Sequence, residues 1–294
     1  MSIQDVSLAM PSRAPSWRIK ALAFACDNKL FVFGALLLLL IILAAIFAPW
    51  LAPYEPNKIV FSQKLMAPNW AHWMGTDEFG RDILSRVLYG ARTSLIIGVS
   101  VTLIAMLIGI PIGLVSGYFG GRIDTLLMRV SDVFLAFPPL LLPIAITAAL
   151  GSGLANAMLA LAISWFPWYA RIMRGAVVRV RSETYIHAAR SMGVSHCRIL
   201  LRHVLPNSTT PLIVQGSMDF GYTILAAASL SFIGLGAKPP MVEWGLMAAA
   251  SRSQLLENPW TVLFPGVAIF VLVLAVNLVG DGLRDVLDPK KGTR

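Results

Sequence analysis

The amino-acid sequence predicts an all-α polytopic membrane protein, with six transmembrane helices and one folded helix-turn-helix on the cytoplasmic side. Composition, the placing of charge-free windows and the asymmetry of basic residues lead to that expectation. Hydrophobic residues make up 57% of the 294 positions and charged residues only 13%, and the mean hydropathy is +0.72. A soluble domain carries about a quarter of its residues charged. This chain cannot cover a surface of its size with polar groups, so its solvent is lipid. Soluble enzymes, nucleic-acid binders and disordered scaffolds are excluded at this step. The net charge of +9 reports topology rather than a polyanionic partner.

A helix crosses the hydrocarbon core with about 20 apolar residues. Leu30 to Tyr54 and Thr93 to Gly121 contain no Asp, Glu, Lys or Arg. Neither does Val133 to Ala170, which at 38 residues is too long for one crossing. The turn signal Gly151-Ser152-Gly153 splits it into a helical hairpin. His203 to Ala237 holds a single charge, Asp219, and Asn258 to Gly280 holds none. The expected spans are therefore 30–52, 94–118, 131–150, 154–171, 209–233 and 259–280. Pro111, Pro211 and Pro265 fall in the second, fifth and sixth, and Pro138, Pro139 and Pro143 in the third. Each proline removes a backbone donor and bends or ends its helix locally.

Placing the N-terminus in the cytoplasm gives inner segments with four Lys and Arg before residue 30, two over 119–130, seven over 171–206 and four after 280. The outer segments hold five, none and two. The excess of basic residues puts both termini inside. The organisation that follows is a cytoplasmic segment 1–29, a first span with its extracytoplasmic loop 30–92, a membrane core 93–281 and a cytoplasmic tail 282–294. The first 29 residues show no short apolar core with a small-residue cleavage site, so no removable signal peptide is expected. Cys26 and Cys197 are too few for a disulfide framework and fall in or beside reducing cytoplasm.

The most informative stretch is the cytoplasmic loop 171–206, longer than a simple connection requires. It reads as two short helices, the first capped by Ser182 or Thr184 and ended by Gly193 in a left-handed turn. The second is capped by Ser195 and stopped by Pro206. His187-Ala188-Ala189, three residues, Gly193, nine residues, then His203-Val204-Leu205-Pro206 resembles the coupling-loop motif of ABC importer permeases. That motif runs Glu-Ala-Ala, three residues, Gly, nine residues, Ile, one residue, Leu-Pro. His187 replaces the motif's Glu and His203 its Ile. Arg202-His203 through Asn207 is similar to the peptide and nickel branch, as are Gly75-Thr76-Asp77 with Gly80-Arg81-Asp82, Tyr118-Phe119-Gly120-Gly121, and Gly280-Asp281-Gly282 with Leu287-Asp288-Pro289. The chain most resembles the C-type permease subunit of dipeptide or oligopeptide importers.

The resemblance implies the type I ABC importer permease fold and alternating access driven by ATP. It implies a homologous permease as heterodimer partner, two ABC ATPase subunits below and an extracytoplasmic substrate-binding protein, in a bacterial cytoplasmic (inner) membrane. It gives Glu183, His187, Ala188, Ala189, Gly193, Leu205 and Pro206 the coupling role. The chain has no Gly-x-x-x-x-Gly-Lys-Ser/Thr loop, so ATP and magnesium belong to the partner subunits and this chain is expected to bind no cofactor. Glu183, four residues before His187, would keep one carboxylate on that helical face. Dipeptides or short peptides are the implied substrates, with nickel, glutathione and D-alanyl dipeptides as alternatives. A self-sufficient secondary transporter or channel would need internal repeats and intramembrane ion sites, and only one mid-span acid is present.

That acid, Asp219, either hydrogen-bonds a neighbouring helix or lines the pathway, because an ionised carboxylate in the membrane needs a partner or water. Asp132, at the cytoplasmic edge of the third span, reads as a helix-end charge. In the outer loop, Asp82 and Arg86 are spaced for a helical ion pair. Ile83, Leu84, Val87 and Leu88 form one apolar face there, which reads as a helix lying on the outer membrane surface. Asp77, Arg81, Asp82 and Arg86 are the candidate extracytoplasmic contacts. Histidines 72, 187, 196 and 203 share no metal-ligand spacing on one membrane side, no catalytic arrangement is present, and no metal site is expected. Trp50, Trp165, Trp168 and Trp260 read as interfacial aromatics.

Overall fold

The computed structural model describes residues 28–287. The expectations for the first 27 residues, Cys26 among them, and for the chain from Asp288 onward lie outside the described residues. The first membrane helix, α1, is Lys29–Ile46, followed by a single turn, α2, at Ala48–Leu51. After the outer loop come α3 (Ile83–Phe119), α4 (Gly121–Leu135), α5 (Leu141–Leu150) and α6 (Leu154–Arg181). The hairpin after α6 contains α7 (Thr184–Ser191), α8 (His196–Ile199), a π turn (Leu200–Val204) and α9 (Leu205–Ser208). The chain then forms α10 (Thr210–Phe232), α11 (Trp244–Ala250) and α12 (Trp260–Leu287). No strand occurs among the described residues; Thr76 and Asp82 form one isolated antiparallel bridge.

Each charge-poor window lies on helix, although only Lys29–Ile46, Ile83–Phe119 and Trp260–Asp285 are long and apolar enough by themselves to cross a membrane. The third expected span differs most. Helix starts at Gly121 rather than 131 and is broken between Leu135 and Leu141. Pro138 and Pro139 lie in that break, and neither supplies the N–H that a continuous ladder needs. The fourth span runs ten residues past its expected end at 171, carrying Arg171, Arg174, Arg179 and Arg181 out of the apolar band.

The expected surface helix is absent. Ile83 to Leu88 form the first turns of α3, and Ile83 is buried. At 37 residues, α3 is about 55 Å long, well beyond a hydrocarbon core of about 30 Å. The apolar stripe thus continues a membrane helix into a folded loop instead of lying on lipid. Asp82 is the N-cap of α3 and accepts from the Ser85 N–H at 2.7 Å, while the ion-pair partner of Arg86 is Asp77 at 3.7 Å.

The core forms around α3 and α6. Gly109, Gly113 and Gly117 stand one turn apart along α3 and face the α6 backbone. A Cβ on Gly109 would lie 2.5 Å from the Phe166 carbonyl oxygen, and one on Gly117 2.8 Å from that of Arg174. Only glycine lets two membrane backbones approach this closely. Val101, Ala105, Ala157, Leu161, Tyr169 and Met173 fill the seam. A second cluster, around the N-terminal end of α3, joins Ala45, Ile83, Ala91, Ile224, Trp244 and Leu272.

Candidate functional site

The hairpin after α6 is held by buried apolar side chains and by one polar clasp. Ile186, Ala189, Ile199 and Val204 are buried, and all belong to the same core cluster as the α3–α6 seam. α7 ends in a Schellman turn: Gly193 N–H donates to the Arg190 carbonyl (2.9 Å) and Val194 N–H to the Ala189 carbonyl (3.1 Å). Gly193 has φ +77°, and the space around its missing Cβ is open. Its requirement is therefore conformational rather than steric.

Capping differs from the sequence expectation. Neither Ser182 nor Thr184 caps α7; Ser182 Oγ donates backwards to the Arg179 carbonyl. Glu183 takes the N-cap position in extended backbone, without a side-chain capping bond. It therefore stands outside the helix and does not share a helical face with His187, although both side chains are exposed. Ser195 occupies the next N-cap, also without a side-chain bond. Helix continues through Pro206 to Ser208 instead of stopping there. Pro206 has no N–H to donate, and the ladder widens just before it into a π turn in which Leu205 N–H reaches the Leu200 carbonyl. Asn207 Nδ2 donates to the His203 carbonyl at 2.6 Å.

The clasp comes from the end of α3. Tyr118 is buried, and its hydroxyl pairs with His196 Nδ1 at 2.8 Å. The Arg190 guanidinium sits 4.8 Å from the centre of the same ring. Arg181 donates to the Tyr118 carbonyl at 2.8 Å. Below α3, Arg174 binds Asp124 through two bonds of 2.7 and 2.6 Å. This holds the Asp124 carboxyl below its usual range. Asp132 is more than a helix-end charge, since Arg171 meets it at 2.5 Å. The hairpin's outer side remains uncovered: Tyr185, His187, Ala188 and Leu201 are exposed, and Met192 is 76% exposed. Of the seven expected coupling residues, Ala189 faces inward and Leu205 is half-buried, while Glu183, His187, Ala188, Gly193 and Pro206 lie on or beside the open side.

On the other side of the membrane, Asp77, Arg81, Asp82 and Arg86 are taken up within the loop and are not free contacts. Asp77 accepts from Arg81 Nε at 2.7 Å, and Arg86 donates to the Pro56 carbonyl (2.9 Å) and Asn57 Oδ1 (3.0 Å). Asp82 pairs with buried His72 at 2.9 Å. Gly80, at φ +71°, places its Cα against the Val60 carbonyl where no Cβ fits. These residues fold the loop, and Trp70, Trp73 and Phe61 are among its exposed side chains.

Asp219 lines a cavity of about 280 Å³ with Gln215, Tyr222, Trp165, Trp168 and Pro139. Gln215 Nε2 donates to Asp219 Oδ1 at 2.8 Å, within the same helix. Trp165 and Trp168 fall in the middle of α6, because that helix extends to Arg181, and Trp165 packs on Tyr222 with ring centres 5.1 Å apart. Among the described residues no group of His, Cys, Asp and Glu is arranged to hold a metal.

An all-α chain of apolar helices with a hairpin docked on its core is the architecture that comparison with known proteins places among transport permeases. The family model of the binding-protein-dependent transport system inner membrane component matches residues 109–293, and the chain belongs to that family. The N-terminal TM domain of oligopeptide transport permease C matches residues 25–68. The dipeptide transport system permease protein of Alkalihalophilus pseudofirmus is 48% identical, with 90% of this chain and 86% of the relative aligned. The di/tripeptide transport system permease protein of Pseudomonas aeruginosa is 45% identical, covering 97% and 95%. The glutathione transport system permease protein of Pectobacterium atrosepticum is 48% identical, covering 88% and 86%. Among solved structures, the MetNI methionine ABC transporter in inward-facing conformations shares the fold, with a TM-score of 0.56 at 18% identity over 69% of this chain and 96% of that one.

Proposed function

We propose that this chain is one half of the membrane pathway of an ATP-driven importer of dipeptides or short peptides. A homologous permease is the other half, two ABC ATPase subunits bind below, and an extracytoplasmic binding protein delivers substrate. Both termini are cytoplasmic. The chain carries no catalytic site; ATP and magnesium are used by the ATPases. The observation that carries this reading is the hairpin 184–208, rigidly seated on the α3–α6 seam yet open along Tyr185, Ala188 and Met192. A seated lever with an uncovered mixed apolar and basic face suits a groove in a moving partner. ATP binding closes the ATPases, the hairpin follows, and Tyr118 and Pro206 pass the displacement to α3 and α10. Gly193 supplies the turn, Ala189 the close seating, and Glu183, His187 and Ala188 the contact face. Relatives that carry dipeptides and di/tripeptides support the substrate class, and the glutathione relative supports a γ-linked tripeptide as the second reading.

Gly193→Val tests the lever. A β-branched residue at φ +77° costs about 1–2 kcal/mol in the left-handed region. The expected outcome, measured in proteoliposomes containing the purified complex, is normal insertion and assembly with peptide uptake reduced at least tenfold per ATP hydrolysed. Uptake at the unmodified rate and stoichiometry would overturn the coupling role.

A further inference from the structure

Asp219 is the tenth of 23 residues in α10, which places it about 14 Å from the helix start and near the middle of the bilayer. It is only half-buried in this chain, so part of the carboxylate lies on the molecular surface at membrane depth. A carboxylate in that position cannot face hydrocarbon and must meet protein or water. Its partners are neutral: the amide of Gln215 donates to it within α10, and the Tyr169 hydroxyl of α6 stands within hydrogen-bonding reach. No Lys, Arg or His pairs with it among the described residues.

The cavity beside it is walled by three aromatic rings, Trp165, Trp168 and Tyr222. Trp165 is buried, whereas Trp168 is 53% and Tyr222 44% exposed, so the cavity opens away from the core of this chain. An acidic group among electron-rich ring faces is the chemistry that binds an alkylammonium: the carboxylate supplies the counter-charge and the rings attract the cation through their quadrupoles. The break between α4 and α5, with Pro139 at the cavity rim, adds irregular backbone of the kind a membrane chain retains where it lines a cavity.

We infer that the Asp219–Gln215–Trp168–Tyr222 face of α6 and α10 lines the transport pathway and transiently holds the amino-terminal ammonium of the passing peptide. This inference rests on the peptide-importer reading and names the residues and substrate group within it. The site is half a site in this chain. Its open side faces the second permease, so the ammonium is held between the two subunits and released when they rock apart.

The test uses the complete complex in proteoliposomes, with radiolabelled dialanine and trialanine as probes. Asp219→Asn keeps the shape and removes the charge. The expected result is a tenfold or greater fall in uptake at saturating binding protein, with the complex still assembled and Asp219→Glu restoring part of the rate. A second measurement covers the case in which Asp219→Asn prevents assembly. Tyr222→Cys, in a background with Cys26→Ser and Cys197→Ser, is exposed during ATP turnover to a water-soluble cationic thiol reagent. Labelling that dialanine slows is expected. Wild-type uptake by an assembled Asp219→Asn complex, or a Tyr222→Cys thiol that only a lipid-soluble reagent reaches, would overturn the pathway assignment. Failure of the unmodified complex to take up either peptide would instead overturn the peptide reading.

Discussion

Tyr118 joins segments 78 residues apart, and its three contacts define what the hairpin after α6 is attached to. The ring lies under the Arg190 guanidinium, the hydroxyl meets His196, and the carbonyl receives Arg181. Tyr118→Phe removes the hydroxyl alone. A net hydrogen bond of this kind contributes about 0.5–1.5 kcal/mol, so opening of the hairpin should become roughly fivefold more frequent. Hydrogen exchange of residues 184–199 in the purified complex reads that change directly. Unaltered exchange would show that the apolar seating by Ile186 and Ile199 suffices alone. Gly193 belongs to the same scale: its positive φ was legible from its place after a short helix, whereas the clasp was not. The sequence singled out Tyr118 to Gly121 as a matching stretch without indicating that the tyrosine reaches a histidine in another segment.

At the scale of elements, each charge-poor window falls on helix, because long apolar runs report local composition. They misplaced the ends wherever tertiary structure takes over. α6 continues ten residues beyond its apolar part, where Val177 still packs on α3 at Gly117. The outer residues 83–88 read as a surface helix because periodicity reports an apolar face but not what covers it. Gly109, Gly113 and Gly117 form the α3–α6 stripe at intervals of four, a spacing that suits close helix packing. It makes a sign prediction. Gly113→Ala brings a methyl group into the Ala170 carbonyl and should destabilise the chain by about 1–3 kcal/mol. Gly175→Ala, on α6 with open space around it, should stabilise by up to about 1 kcal/mol through helix propensity. Thermal unfolding midpoints in one detergent compare the two. Equal shifts in one direction would contradict the close approach of α3 and α6.

For the whole molecule, two faces on the same scaffold account for an ATP-driven pathway. One is the exposed side of the hairpin below the membrane, the other the carboxylate-and-aromatic face at membrane depth. α6 belongs to both, carrying Trp165 and Trp168 in its middle and leading directly into α7 at its end. Displacement of the hairpin is therefore displacement of the pathway wall. The resemblance in the cytoplasmic loop was enough to expect the first face. The second was legible only as an isolated Asp219, since two of the three aromatic residues that give it chemical meaning, Trp165 and Trp168, come from α6. The most direct test of the account places a photo-cross-linking residue at Met192, on the hairpin's most exposed apolar position, in the complex purified from mild detergent. Illumination should join this chain to an ABC ATPase subunit, with a higher yield when ATP is bound. Cross-links only to lipid, from a stable chain that transports peptide without an ATPase attached, would contradict it.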